Sequence, residues 1–390
     1  MNVAHISLDL DFRRGGPPRV VTGLVEALRK RGHTCSISGD GTPLRTACSD
    51  SEITRSSPNL LNRFWRGYGP GLRPRMQQDI SLCDIVHIHE LWHYPHYLAA
   101  KLAILLRKPY VVTIHGGLAE EALKVKRWRK NVYWHLAQER LLRNASCIHV
   151  FTQAERSQVE SKRIARLIAE IPNGVALEEF ASLPSRDTIG KVHPKVKGQR
   201  VILFLGRILP VKGLDVLCGA FAKLAADPKF SDCVLLLCGP IHPSYKATLE
   251  EILRKNFAID RTVFTGPLDH VRRLEALAAA DVFALPSHSE GFSISVLEAL
   301  AARLPVVISP ACNFPSVETS GAGLVSNCDI SSFESALRTL LEDPSRRSEM
   351  GANGRRLVEL HYSWDRLAAQ FEDLYSKLLS EGSIPAAGTR

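Results

Sequence analysis

Two carboxylates, Glu290 and Glu298, lie eight positions apart in the stretch SHSEGFSISVLEALAARLPVV at 287–307. Such a pair first suggests a general acid and a general base, but its frame argues otherwise. Gly291 and Ser293 leave backbone N–H groups free at a helix start and Ser295 adds a hydroxyl, so donors and helix dipole together can hold an anion. A carboxylate beside an anion site repels the anion and binds neutral hydroxyls. Hydroxyls next to phosphate describe a sugar nucleotide. Upstream, GRILPVKG at 206–213 sets two cations, Arg207 and Lys212, five positions apart in a glycine-containing loop. Arginine offers phosphate a bidentate fork and lysine a point charge, so together they can neutralise a pyrophosphate. Nothing in the sequence is read as a metal site, and no second carboxylate has a claim to be a nucleophile.

These residues need a rim to stand on. The run 281–286 is short, apolar and stopped by proline, which suits a buried parallel strand. The segment therefore reads as strand, loop, helix, strand, with Glu290 at a strand's carboxyl end, where open α/β sheets bind ligands. The same alternation fills the chain. Val3 to Leu8 reads as a strand, and Val20, Val21, Leu24, Val25 and Leu28 recur at helical spacing up to a capping Gly32. Strands follow at 33–38, 84–89 and 110–114, the last ending in His115-Gly116-Gly117. A long helix and a strand at 147–151 come next. After 183–200, poor in apolar residues and broken by two prolines, further strands are expected at 201–205, 234–237, 261–264, 282–285 and 305–308. The end, 344–379, reads as helical, with Trp364, Leu367, Phe371 and Tyr375 as its packing stripe. This is an α/β chain of two parallel-sheet domains.

Its 390 residues exceed what one core serves, and 45% hydrophobic with 23% charged residues fits a globular protein. The expected division is a first domain at 1–182, a linker at 183–200, a second domain at 201–362, a helix at 363–380 packing back on the first domain, and a tail at 381–390. The start MNVAHISLDL reads directly as a strand, without a signal peptide, and no apolar stretch approaches the ~20 residues that span a bilayer. Nine cysteines, an odd number with no CxxC pair, read as buried thiols of a reducing, cytoplasmic compartment. The net charge of +10 admits nucleic acid, an anionic membrane or an anionic substrate as partner. Arg55, Arg63, Arg66, Arg73 and Arg75 are interleaved with Phe64, Trp65 and Tyr68; Lys124, Lys126, Arg127, Arg129 and Lys130 stand with Trp128 and Trp134 on a helix. Basic residues among interfacial aromatics favour a peripheral membrane face over nucleic acid.

The motifs GGPPRVVTGLVEALRKRGH, IVHIHE, TIHGG, IPNG, FLGRILPVKGLDVL, ALPSHSEGFSISVLEALA and SWDRLAAQFEDLY, in this order, resemble the retaining GT-B glycosyltransferases of family 4, the "glycosyl transferases group 1" set. The resemblance covers nearly the whole chain. It implies two Rossmann-like domains facing a deep interdomain cleft. Arg207 and Lys212 would grip the donor diphosphate, with the Gly16 N–H closing on it from the other domain. Glu298 would hold ribose hydroxyls. Glu290 would hold hydroxyls of the transferred sugar, beside the N–H groups of Gly291 and Phe292. Ser295 would lie near the distal phosphate, His115 near the reacting sugar and Leu268 near the nucleobase. Two departures stand out: Ala176 where the family has Asp after the NG turn, and Ser293 where many members have a second glycine. The segment 41–78 matches nothing in the family pattern, which leaves acceptor recognition to it and to the basic helix.

The implied reaction moves a sugar, with retention, from a UDP- or GDP-sugar to a glycan or lipid-linked acceptor, as in polysaccharide or glycolipid assembly, without a metal. The leaving phosphate itself would take the acceptor's proton. A sugar-nucleotide 2-epimerase of the same fold is the competing enzyme, and a non-catalytic glycan-binding relative the competing non-enzyme.

Overall fold

Short apolar runs closed by turn residues become parallel strands in both halves of the chain. A computed structural model describes residues 1–10, 16–40, 53–54, 67 and 71–382. The chain divides into two compact units, Met1–Gly174 with Trp364–Arg390, and Val175–Ser363.

Unit 1 is built on a seven-stranded parallel sheet of β1 (Asn2–Asp9), β2 (Thr34–Asp40), β3 (Ile53–Thr54), β4 (Ile85–His89), β5 (Tyr110–Thr113), β6 (Cys147–Val150) and β7 (Ile168–Glu170). The order is β3-β2-β1-β4-β5-β6-β7, so the direction of winding reverses between β1 and β4. Helix Gly16–Lys30 buries Val20, Val21, Leu24, Val25 and Leu28, and ends in Arg29 and Lys30 before Gly32 in the left-handed region. Cations suit that carboxyl end of the helix dipole. The carboxyl-terminal helix Trp364–Ser380 buries Trp364, Leu367, Phe371 and Tyr375. Its Trp364 indole fills the space that Gly23 and Gly174 leave open: a Cβ at either would come within 2.2 or 2.5 Å of the ring. Arg31 Nε donates to Glu372 Oε2 at 2.7 Å on the same face.

Unit 2 carries a six-stranded parallel sheet of β8 (Arg200–Leu205), β9 (Cys233–Cys238), β10 (Thr262–Gly266), β11 (Val282–Leu285), β12 (Val306–Ile308) and β13 (Gly323–Val325). Its order, β10-β9-β8-β11-β12-β13, again reverses at the first strand, here between β8 and β11. The central strands are fully buried runs of Val, Ile, Leu, Phe and Cys, as a sheet covered on both faces requires.

Several local readings differ from the structure. The stretch 183–200 is part of unit 2: two 3-10 turns seat Ile189 and Val196, 1% and 4% exposed, in its core. The long helix before β6 is broken into Glu120–Lys124, Arg127–Tyr133, a π-helical turn Trp134–Gln138 and Glu139–Asn144, with Lys126 in a left-handed conformation at the first break. The terminal helical region is likewise two helices, Pro344–His361 and Trp364–Ser380. Between them Val175 N–H donates to Tyr362 O at 2.9 Å. Arg55, Arg63, Arg66, Phe64, Trp65 and Tyr68 lie outside the described residues. Of the eight described cysteines seven are buried and Cys328 is half-buried, all as thiols. No helix among the described residues is long and apolar enough to cross a membrane.

Candidate active site

In unit 2 the loops leaving β8 and β11 meet where the winding of the sheet reverses, the place at which open α/β sheets form a crevice. The β8 loop is stitched down by Gly206 N–H to Cys238 O and Ile208 N–H to Pro240 O, each 2.9 Å. Ile208 is buried and Arg207, beside it, is exposed. A 3-10 turn, Pro210–Lys212, ends at Gly213 with φ 66°, and helix Leu214–Ala225 starts there. A Cβ on Gly213 would sit 2.0 Å from Pro286 O, so only glycine lets the two loops touch backbone to backbone. His288 N–H and Ser287 Oγ donate to Val211 O at 2.8 and 3.1 Å. The result is that Lys212 Nζ forms an ion pair with Glu290 Oε1, both side chains mostly out of solvent.

Glu290 is itself fixed by its backbone. Its N–H donates to Ala311 O at 3.1 Å, and its carbonyl accepts from Asn313 Nδ2 at 2.8 Å. Among the described residues no backbone carbonyl accepts from the N–H groups of Gly291 and Phe292. The Phe292 ring packs against Phe314 and Tyr362, with centroids 4.9 and 5.9 Å away. Helix Ile294–Ala301 begins after Ser293, whose hydroxyl lies 3.1 Å from that of Ser295. The amino termini of helices Leu214–Ala225 and Ile294–Ala301 and the Lys212–Glu290 pair thus share one rim, and free N–H groups at helix starts suit an anion.

Glu298, on the same helix, is in different company. It is 2% exposed and paired with Arg273 Nη1, while Arg273 Nη2 holds Glu179 Oε2 at 2.7 Å. Neither Arg273 nor Glu179 stands out in the sequence. The available signal is Arg273 sharing the apolar face of helix His270–Ala279 with Ala276 and Leu277, three and four positions on. Leu268, half-buried, packs against the core at the end of β10.

In unit 1, His115 follows β5 in the left-handed region, φ 46°, with Gly116 at 69° behind it. A β-carbon-bearing residue held there is braced by its neighbours. Glu155 supplies the brace: Oε1 accepts the Gly116 N–H at 2.6 Å and Oε2 the Phe151 N–H at 2.8 Å. Burial pushes the Glu155 carboxyl up to about 7. Trp92 Nε1 adds a donor to Gly117 O at 2.9 Å. The His115 ring lies 5.0 Å from that of Phe151, and burial lowers its pKa to about 3, so the ring is neutral near pH 7. Its Nε2 is enclosed without a hydrogen-bond partner among the described residues. Gly16 is the first residue of helix Gly16–Lys30, and the loop before it lies outside the described residues.

Behind His115 the sheet carries a buried file of histidines, although nothing in the sequence marks a metal cluster. Nitrogens of His5, His87 and His89 all fall within 4.8 Å of one another, the spacing of a possible metal set. Hydrogen bonds occupy both nitrogens of His87 and one each of His5 and His89, while His5 Nε2 and His89 Nδ1 are buried without a partner among the described residues. His87 faces Tyr375 Oη and Thr113 Oγ1, both at 2.6 Å; His5 Nδ1 faces His89 Nε2 at 3.0 Å; and Thr113 continues to His149 Nδ1 at 2.8 Å. A metal would have to take from His87 a nitrogen already engaged.

The chain matches two family models, "Glycosyltransferase Family 4" over residues 14–179 and "Glycosyl transferases group 1" over 185–357. It is 31% identical over 232 residues to the D-inositol 3-phosphate glycosyltransferase of Kineococcus radiotolerans, covering 55% of this chain and 52%, about half, of that one. With the enzyme of the same name from Xylanimonas cellulosilytica it shares 31% identity over 342 residues, 82% of this chain and 77% of the other. Among solved structures, Anabaena Alr3699/HepE, in complex with UDP and glucose, superposes with a TM-score of 0.78 at 18% identity, covering 97% of this chain and 100% of that one. That likeness is one of fold, the GT-B arrangement of α/β units. On the ordered motifs, both family models and a relative matched over most of its length, the chain belongs to glycosyltransferase family 4.

Proposed function

We propose that the chain transfers a sugar from a UDP- or GDP-sugar to a glycan or lipid-linked acceptor, with retention and without a metal. The observation that carries this reading is the Lys212–Glu290 pair, a cation and a hydroxyl-binding carboxylate set side by side at a double helix amino terminus. The bond from the sugar carbon to the leaving phosphate oxygen breaks, and Arg207, Lys212 and the two helix termini take up the charge that develops. Glu290, with the Gly291 and Phe292 N–H groups, holds the sugar; Glu298, oriented by Arg273, holds the ribose; Ser295 lies by the distal phosphate and Leu268 by the base. His115, neutral, bonds a sugar hydroxyl, and Gly16 adds an N–H to the diphosphate. The acceptor oxygen bonds to the same face of the sugar carbon, and its proton passes to the leaving phosphate.

The test is calorimetry with UDP and GDP, followed by nucleotide release from the corresponding sugar nucleotides in the presence of EDTA. Binding of one nucleotide and chelator-resistant release are expected. Strict dependence on a divalent ion would overturn the metal-free reading, and solvent isotope entering the sugar would point to the epimerase.

Glu155 touches no substrate in this scheme; it positions the His115 turn. A carboxylate accepts both N–H groups, whereas glutamine presents an amide nitrogen to one of them. Glu155→Gln should therefore lower kcat by about tenfold, the value of one lost charged hydrogen bond. Because the protonated acid also loses an acceptor, wild-type kcat should rise with pH through about 7. That limb should be absent in the glutamine variant; an unchanged profile would remove Glu155 from this role.

A further inference from the structure

The broken helical region after β5 has two faces of different character. Inward, Tyr133 and Trp134 pack beside Trp92, with centroids 6.3 and 6.1 Å apart, and Lys130 Nζ lies 5.2 Å from the Trp92 ring centroid. Lys162 covers Trp134 at 5.0 Å, and Gln138 is buried, its Oε1 accepting from Trp92 N–H. Outward, Trp128, Val132 and Leu136 follow one another every four residues and are 70%, 51% and 79% exposed, with Val125 before them at 61%. Among the described residues, four of the eleven exposed large hydrophobic side chains thus fall within the twelve positions 125–136. Single exposed apolar residues are ordinary; a row of them marks a contact surface.

The charge along this row is of one sign. Lys126, Arg127 and Arg129 are exposed, no Asp or Glu occurs between Ala122 and Gln138, and the exposed Lys124 just before them is paired with Glu120 and Glu121. The Arg129 guanidinium lies 5.3 Å from the Trp128 ring centroid, so cation and indole are presented together. A water-filled partner site gains nothing from Trp and Leu, and an apolar protein groove gains nothing from three cations. A surface that is anionic outside and apolar just beneath takes both.

We propose that this face of unit 1, centred on Trp128, Val132 and Leu136 with its flanking Lys and Arg, docks on an anionic lipid bilayer. Trp128 and Leu136 enter the headgroup boundary while the cations stay at the phosphates. The helix behind them rests on Trp92, the residue that also donates to Gly117 in the His115 turn, so docking sets that turn at a fixed distance from the lipid. The surface belongs to unit 1 alone and stands independently of the donor reading.

The full chain is cosedimented with vesicles of phosphatidylcholine alone and of phosphatidylcholine with phosphatidylglycerol in equal parts, at low and raised salt. Binding is expected only to the anionic vesicles, weakened by salt, and about tenfold weaker in the double variant Trp128→Ser, Leu136→Ser and in Lys126→Glu, Arg127→Glu. Circular dichroism and the emission of the remaining tryptophans, all outside unit 2, confirm that the variants remain folded. Equal binding by wild type and variants would overturn the proposal. So would absence of binding to anionic vesicles, or a concentration-dependent dimer lost in the Trp128, Leu136 variant without vesicle binding.

Discussion

Lys212→Ala should reduce turnover of the nucleotide-sugar by roughly 10²–10³-fold, the loss typical of removing one group aimed at developing charge. Lys212 and Glu290 pair with each other, with side chains 17% and 8% exposed. In the proposed reaction an arriving diphosphate would replace Glu290 as the partner of Lys212, and a sugar hydroxyl would become the new partner of Glu290. The two substitutions should therefore differ. Alanine at 212 leaves a carboxylate facing the phosphate, so UDP or GDP binding and turnover fall together. Glu290→Gln frees the lysine from its competitor: nucleotide binding should hold or strengthen by a few-fold while turnover falls about 10²-fold. Calorimetry with the nucleotide and an assay of its release distinguish these patterns. Full activity in Lys212→Ala, or a parallel loss of nucleotide affinity in Glu290→Gln, would dismantle the assignment.

Both members of that pair are legible in the sequence, because each sits in a loop whose flanking strand and helix announce themselves by local pattern. Strands β8 and β11, the stop at Pro286 and the apolar stripe of 294–301 are all short-range signals. Partners contributed from far away are not legible. Gly116 and Glu155 are 39 positions apart, and Arg273 is 94 from Glu179; no periodicity links them. The 3-10 turns at 183–200 are hidden for a different reason. Their two buried residues, Ile189 and Val196, sit among lysines and prolines, so composition reads as linker although both side chains reach the core. β13, three residues at the sheet edge, is too short for any pattern. The histidines are visible but misleading in kind: alternation treats His87 and His89 as polar positions, whereas β4 is buried along its whole length.

That histidine file should make unit 1 the acid-labile half of the protein. Burial holds His5 and His115 at about 3 and His149 at about 4, and His87, His89 and His96 well below the usual value. Their pKa values are depressed in the folded state, so below about 6.5 the unfolded chain binds protons that the folded one refuses. Stability present above that pH is lost as pH falls, at up to about 1.4 kcal/mol per pH unit for each group. A domain's whole stability is about 5–15 kcal/mol, so several such groups losing together weigh on it soon after the pH falls below 6.5. Glu155 opposes them. Its pKa is raised, so its contribution is complete below about 4.5 and is lost as pH rises through about 7; one group gains on acidification while six lose. All five tryptophans belong to unit 1, so tryptophan emission reports on it alone. Emission should shift to the red between about pH 6 and 5, while circular dichroism keeps the helical signal of unit 2 to lower pH. A single coincident transition below about pH 4 would mean that the file is protonated without unfolding or is not closed to solvent, and that the hydrogen bonds linking Thr113, His87 and Tyr375 do not hold it neutral.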